Sequence, residues 1–463
     1  MAATLEQTPI PGLLVLRSPV HRDDRGWFTE AWQRDKALAL GLPDFGPVQH
    51  NVSHNAARGS TRGIHAEPWD KLVTVVHGSV FGAWVDLREG EGFGRTVTLT
   101  IEPGTAVFVP RGVGNSYQAL ADDTVYSYLV NEHWRPDLTY PALALDDPSA
   151  AIDWPIPLSQ SEISAKDRAN PQLAGVTPFA PKRPLILGGS GQIGSALRSL
   201  LPDAIAPGRD ELDLTDPDAV EALDLTDHDL VINAAAMTAV DAAETPEGRR
   251  LAWRVNAHLP AQLARKAGAR TTLVHYSSDY VFDGESPVHD ESEGYAPLSV
   301  YGQSKAAGDL AVTVAPRHYL LRTSWVVGDG ANFVRTMARL ADDGVSPAVV
   351  DDQHGRLSFA AQIAAATVHL VQSDAAYGTY DITQAGESMT WAGIAREVFA
   401  LRGRSRDDVR GISTAEYGAP APRPRHSTLS LATLEATGFT PTDQLTALRE
   451  YVAYMAPSTG SEG

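Results

Sequence analysis

Hydrophobic and polar positions follow two different textures along this chain. Between about residues 12 and 145, short apolar runs (13–16, 72–76, 80–85, 97–101, 106–109 and 124–129) recur between turn signals such as Pro103-Gly104 and Arg111-Gly112. Several short strands at near-even spacing predict an all-β sandwich or barrel. From about Pro184 onward, apolar runs at 185–187, 230–233 and 272–275 alternate with helix-like stretches such as 261–267. That alternation predicts βαβ units and a doubly wound, Rossmann-type parallel sheet. The proline-punctuated stretch 164–183 between them reads as connecting chain. The expected organisation is a β domain over 1–170, a linker over 171–183, an α/β domain over 184–456 and a disordered tail over 457–463.

Length and composition fit this division. A chain of 463 residues is too long for one core, and 43% hydrophobic with 21% charged residues is ordinary for a globular protein. No apolar run approaches the ~18–20 residues that cross a bilayer. The first residues, Met1 to Pro11, lack a basic region followed by an apolar core, so a cytoplasmic address is expected. The absence of cysteine excludes disulfides, thiolate metal sites and cysteine nucleophiles. A formal charge of −19 argues against nucleic acid or an anionic membrane as partner. It still permits an anionic small substrate where arginines gather locally.

The second half carries the clearest chemistry. Leu185-Ile186-Leu187 leads into Gly188, Gly191 and Gly194, with Gln192 and Ile193 between them and Ala196-Leu197-Arg198 after. A glycine loop between strand and helix lets a cofactor pyrophosphate approach the backbone at the helix N-terminus. Arg209, near the end of the next strand, favours a 2′-phosphate and hence NADPH over NADH, with a plain surface arginine as the alternative. Asp213 suits either an adenine edge or a helix cap. Tyr301 and Lys305 lie four residues apart and face the same way on a helix, where an ammonium can lower the phenol's pKa. With Ser278 upstream, this is an acid for reducing a carbonyl beside a nicotinamide.

The strings Asn233-Ala234-Ala235-Ala236, Ser277-Ser278-Asp279-Tyr280-Val281-Phe282-Asp283-Gly284, Tyr301-Gly302-Gln303-Ser304-Lys305 and Arg322-Thr323-Ser324-Trp325 closely resemble the extended short-chain dehydrogenases. Within that superfamily, residues 184–455 look like dTDP-4-dehydrorhamnose reductase. The resemblance implies that Tyr301 protonates the sugar C4 oxygen as hydride arrives and that Lys305 holds the cofactor ribose. It implies that Ser278, where the family more often has threonine, hydrogen-bonds the reacting oxygen, and that 234–236 line the cofactor. Asp279, Trp325 and Asn332 fall on the sugar side, although Trp325 could equally be core. Asp351-Asp352-Gln353-His354-Gly355-Arg356 matches the family's substrate loop in part, but Leu357 and Ser358 follow where proline and threonine are usual. The family also allows a Mg2+ ion between subunits, for which no ligands can be assigned.

In the first half, Asp24-Arg25-Gly26-Trp27-Phe28-Thr29-Glu30, Gln49, Asn51, Arg62-Gly63-Ile64-His65, Lys71, Tyr128, Asp147-Pro148 and Ile152-Asp153-Trp154-Pro155 occur in an order that resembles dTDP-4-dehydrorhamnose 3,5-epimerase. That family is a metal-free cupin-type jelly-roll barrel, usually dimeric, and the resemblance covers about residues 10–175. Its chemistry is proton removal beside a ketone, for which a neutral histidine oriented by a carboxylate is suited. The resemblance makes His65 and Asp147 that pair, Lys71 the stabiliser of the enolate oxygen and Tyr128 the acid on the opposite face. It places Arg25 and Arg62 on the diphosphate, Phe28 on the thymine (or in the core), and Glu30, Gln49 and Asn51 on the substrate side. A metal is not expected, since His65 has Glu67 nearby but no second histidine. Two departures stand out: only five residues separate His65 from Lys71, and Asn115 stands where the family usually has histidine.

Together the two resemblances imply a bifunctional enzyme that epimerises a dTDP-4-keto-6-deoxyhexose and then reduces its C4 ketone to give dTDP-L-rhamnose or a relative. Tethering would raise the local concentration of the labile keto sugar. Two other readings keep the reductase with a single-carbon epimerase or a non-catalytic sugar-binding barrel. A third makes the chain a regulatory subunit, against which the intact Ser278, Tyr301 and Lys305 argue.

Overall fold

The computed structural model describes residues 2–134, 140–225, 227–268, 271–373 and 375–455, so the expected tail at 457–463 lies outside the described residues. The chain forms two compact units, Met1–Pro181 and Lys182–Gly463. None of the described helices is long and apolar enough to cross a membrane.

The first unit contains twelve strands among its described residues: β1 (Thr4–Gln7), β2 (Leu14–Arg17), β3 (His21–Asp23), β4 (Gly26–Phe28), β5 (Gln49–Asn55), β6 (Thr61–His65), β7 (Lys71–His77), β8 (Val80–Asp86), β9 (Thr96–Ile101), β10 (Thr105–Val109), β11 (Val113–Ala119) and β12 (Thr124–Val130). They build an antiparallel six-stranded sheet, β1-β2-β10-β7-β12-β5, and an antiparallel four-stranded sheet, β6-β11-β8-β9. One core holds Val73, Val107, Trp84, Tyr117 and Tyr126 from both sheets. A second, with Leu14, Leu16, Leu72 and Phe108, packs against Phe45 and Ala37, the latter on helix α1 (Arg34–Ala39). Burial on both faces explains why 13–16 and 106–109 read as continuous apolar runs, whereas the run 72–76 emerges into solvent at Val76. By contrast, β5 alternates, with His50, Val52 and His54 exposed and Gln49, Asn51, Ser53 and Asn55 more buried.

The connecting chain is bonded to this unit. Ala144 N–H donates to Pro171 O, Phe179 N–H to Leu87 O (2.7 Å) and Glu89 N–H to Phe179 O (3.0 Å). Just before it lies the short helix α2 (Ala165–Arg168), N-capped by Ser164.

The second unit runs β13 (Leu185–Leu187), α3 (Gln192–Leu200), α4 (Pro217–Ala222), β14 (Leu230–Asn233), α5 (Pro246–Trp253), α6 (Leu259–Lys266), β15 (Thr272–Ser278), α7 (Val300–Val312) and β16 (His318–Thr323). β13 to β16 and a later strand, Gly378–Asp381, form a parallel sheet in that order, and Ile205 bridges to Leu185 at its outer edge. Alternate strand residues face opposite layers: Ile186, Ile232 and Val274 pack with Leu197 of α3, and Leu185, Val231 and Leu273 with Leu259 and Leu263 of α6. A separate core of Val334, Met337, Phe399, Val409 and Leu448 supports the later part of the chain. The parallel sheet with helices on both faces is the Rossmann-type arrangement.

Candidate active sites

In the first unit a cavity of about 890 Å³ is lined by residues of β5, β6, β11 and β12 together with Lys71 of β7. His65, the last residue of β6, sits opposite Asn115 of β11. Its Nε2 lies 2.7 Å from Oδ1 of Asp167. Asp167 is presented by α2: its backbone N–H donates to the Ser164 hydroxyl, and its Oδ2 accepts from Gly63 N–H. Burial raises the Asp167 pKa, but the bonds from His65, Gly63 and Ser164 prevail and hold it below the ordinary carboxylate value.

Asp147 is therefore not the partner of His65. Its carboxylate accepts N–H bonds from Ser149 (2.7 Å), Ala150 (3.3 Å) and Leu173 (2.5 Å), which tie a turn to the connecting chain. Asp147 sits in a string that resembles the epimerase family, whereas Asp167 lies outside every such string. A signal was present, however: Ser164-x-x-Asp167 has the spacing of a helix-capping box.

Lys71, the first residue of β7, forms a buried ion pair with Glu67. The short loop after His65 thus brings Lys71 into the same cavity, its ammonium 5.7 Å from the Tyr128 ring centre. Burial, and after it the Glu67 carboxylate, raises the pKa of Tyr128. Arg62 lines the cavity and donates from Nε to Asn55 Oδ1 (3.1 Å). Asn115 Oδ1 accepts from Trp84 Nε1 (3.0 Å) and Tyr126 hydroxyl (3.2 Å).

Five expected substrate residues lie outside the lining of this cavity. Arg25 and Phe28 belong to the β3–β4 hairpin, where Arg25 pairs with Asp23 and Phe28 is 65% exposed. Glu30 pairs with Lys36 on α1. Gln49 and Asn51 share the inner face of β5 but hydrogen-bond to each other (2.9 Å). Among the described residues there is no group of three or more His, Asp or Glu side chains that could hold a metal ion.

In the second unit the glycine loop is fixed by contact. Gly188 has φ +79°, and a Cβ there would stand 2.6 Å from Ala235 N. At Gly194 a Cβ would stand 2.2 Å from Gly188 O, so only glycine lets α3 close on the loop. Gly191 caps α3 without a side-chain bond, and Gln192 and Ile193 open the helix. The first-turn N–H groups therefore have no capping side chain, as a pyrophosphate requires. Residues 234–236 follow β14, with Ala234 N–H donating to Leu187 O. Arg209 is exposed beyond Ile205. Asp213 Oδ1 accepts from Thr215 N–H and hydroxyl, giving it a local turn role, and Asp216 caps α4 instead.

Ser278 ends β15, and Tyr301 and Lys305 occupy the first turns of α7. The Ser278 hydroxyl donates to Asp279 Oδ1 (2.8 Å), and Ser278 partly offsets the effect of burial on the Tyr301 phenol. The expected lowering of the phenol pKa does not occur in the free chain: burial pushes Tyr301 above its ordinary value. Burial also pushes Lys305 down to about 8, with Asp309 opposing, and drives Asp279 up to about 6.

The sugar-side residues divide. Trp325 stacks on Trp391 (3.7 Å, 17°) with φ +42°, a strained conformation for a tryptophan. Asn332 is the N-cap of the helix Phe333–Asp342 and donates to Gly328 O and Tyr451 hydroxyl, so its side chain is engaged within the fold. In the partly matching loop, Asp351 accepts from Thr390 and Arg396, and Asp352 from Thr414. Arg356 donates to the carbonyls of Gln384 and Leu429. These side chains tie the loop to neighbouring segments of the second unit.

Residues 182–456 match the family described as RmlD substrate binding domain, and residues 7–175 match dTDP-4-dehydrorhamnose 3,5-epimerase. A protein RmlC homolog of Streptococcus pyogenes is 45% identical over 187 residues, covering 39% of this chain and 94% of that one. A dTDP-4-dehydrorhamnose reductase of Mycobacterium tuberculosis is 39% identical over 279 residues, covering 56% and 88%. The structure of a Bacillus anthracis dTDP-4-dehydrorhamnose reductase in complex with NADP superposes with a TM-score of 0.55 at 32% identity, over 59% of this chain and 99% of that one. The chain belongs to the RmlD family through its second unit and carries a dTDP-4-dehydrorhamnose 3,5-epimerase domain ahead of it.

Proposed function

We propose that the first unit epimerises a dTDP-4-keto-6-deoxyhexose at the carbons flanking its C4 ketone and that the second reduces that ketone with NADPH, giving dTDP-L-rhamnose or a close relative. The observation that carries the sequence is the convergence of the His65–Asp167 pair, Lys71 and Tyr128 on one cavity. We read the two sheets around it as a jelly-roll barrel. With Nε2–H donated to Asp167, Nδ1 of His65 is the base nitrogen, and Asp167 steadies the imidazolium formed when a carbon-bound proton is taken. Lys71 neutralises the enolate oxygen. Tyr128 returns a proton from the opposite face, which inverts the centre. Arg62 offers its fork of donors to the diphosphate. Arg25 and Phe28 stand away from this chain's own cavity, which fits a homodimer whose hairpin serves the second copy; sedimentation of the purified chain checks it.

In the second unit the uncapped start of α3, the contact-fixed glycines and Arg209 fit the pyrophosphate and 2′-phosphate of NADPH. A hydride is supplied to C4 by that cofactor when bound. Tyr301 gives its phenolic proton to the new alkoxide, Ser278 orients the oxygen, and Lys305 holds the ribose.

The test is product analysis in D₂O with dTDP-4-keto-6-deoxyglucose, with and without NADPH. Two deuterons incorporated without NADPH, and the rhamnose configuration with it, support the proposal; only the unepimerised C4 alcohol overturns the first half. One deuteron would favour a single-carbon epimerase, the reading suggested by an Asn115 already committed to Trp84 and Tyr126.

A further inference from the structure

Beneath the reductase triad lies a buried polar chain outside the catalytic set. Ala235 N–H donates to Asn233 Oδ1 (3.2 Å), which fixes the orientation of that amide. Its Nδ2 must then donate to His275 Nδ1 at 3.0 Å. The imidazole, wholly buried between β14 and α7, is left with its hydrogen on Nε2, and Nε2 lies 3.5 Å from the Lys305 amine. That amine already donates to Tyr276 O.

An N–H facing an amine favours the neutral amine, whose lone pair can accept it, over the ammonium, which cannot. We propose that His275, held by Asn233 as the tautomer carrying hydrogen on Nε2, is a positioning residue that aims an N–H at Lys305 and sets the alkaline limit of reduction. The inference rests on the reading of Tyr301 and Lys305 as the reduction site.

The other groups facing Lys305 are accounted for. Asp309 and Tyr301 approach from α7 itself, and Asp309 favours the charged amine. From β15 come His275 and the Tyr276 carbonyl. Arg322 of β16 lies 3.5 Å from Asp309 and partly neutralises it. The burial that brings Lys305 down to about 8 agrees with the geometry, and burial with the nearby amine also keeps His275 from protonating.

Two measurements on the full chain decide the matter. Selective ¹⁵N-histidine NMR between pH 6 and 9, with the His275 signal assigned through its own backbone correlations in the unsubstituted chain, should show His275 neutral with hydrogen on Nε2 throughout. Hydrogen on Nδ1, or an imidazolium in that range, overturns the proposal even if no substituted protein folds. Second, His275→Leu should move the alkaline limb of kcat upward by about half a pH unit or more, with KM for the sugar within about twofold. Reduction with an unmoved limb overturns the role of His275 alone. Absence of reduction in the unsubstituted chain overturns the reductase reading beneath it, while the NMR result still reports the tautomer.

Discussion

Asp167 and His65, 102 positions apart in the chain, meet at 2.7 Å, and this contact rather than one with Asp147 makes the base of the first unit. The two aspartates differ in what surrounds them. Three N–H groups, from Ser149, Ala150 and the more distant Leu173, engage both oxygens of Asp147, whereas Asp167 is delivered on a capped helix end with one oxygen left for the imidazole.

Substitution should separate the two roles. Asp167→Asn is expected to slow solvent deuterium exchange into the keto sugar by about 10²–10⁴-fold, the range of a general-base contribution. Asp147→Asn should leave exchange within a few-fold while lowering stability by about 1–3 kcal/mol through weakened N–H acceptance. Exchange measured by mass spectrometry, beside urea unfolding, checks both.

Tyr301→Phe should reduce NADPH-dependent turnover by about 10²–10⁴-fold with cofactor affinity and deuterium exchange unchanged. Equal loss in both reactions would show a folding defect instead of a missing acid.

The pH dependence of Lys305 has a definite sign. Its folded pKa of about 8 lies below the ordinary 10.5, so the folded chain releases the proton first. The cost of burying the charge is present below pH 8 and is relieved as pH rises from about 8 towards 10.5. In that window reduction should fall while the lysine's contribution to stability rises. Asp279 and Asp309, both pushed by burial to about 6, titrate below it. A kcat profile that stays flat to pH 9.5 would contradict the assignment.

Gly194→Ala places a methyl against the Gly188 carbonyl. Loss of NADPH binding by at least about tenfold is expected, since displacement of the loop by more than about 1.4 kcal/mol suffices. Fluorescence titration of NADPH measures it, and deuterium exchange in the first unit should persist.

Much of this was legible in the sequence. The runs at 13–16 and 106–109 announce strands covered on both faces, and the glycine loop and the Tyr301–Lys305 spacing survive because their chemistry fixes their positions. What escaped depends on relations no local string records. Asp167 reaches His65 across the fold, and Arg25 and Phe28 lie on a hairpin clear of the cavity. The rise in the Tyr301 pKa comes from burial, which a helical spacing cannot express. Asn332 was drawn into a helix cap, a use that competes with any ligand.

The attachment of the connecting chain bears on how the halves are divided. Leu173 closes the turn around Asp147, and Phe179 lies as an added rung beside Leu87 and Glu89. A cut at residue 170 would strip that rung and expose carbonyl and amide groups along the edge of the first unit. A cut after Pro181 keeps them covered, so the severed first half should stay soluble only when it retains this last stretch.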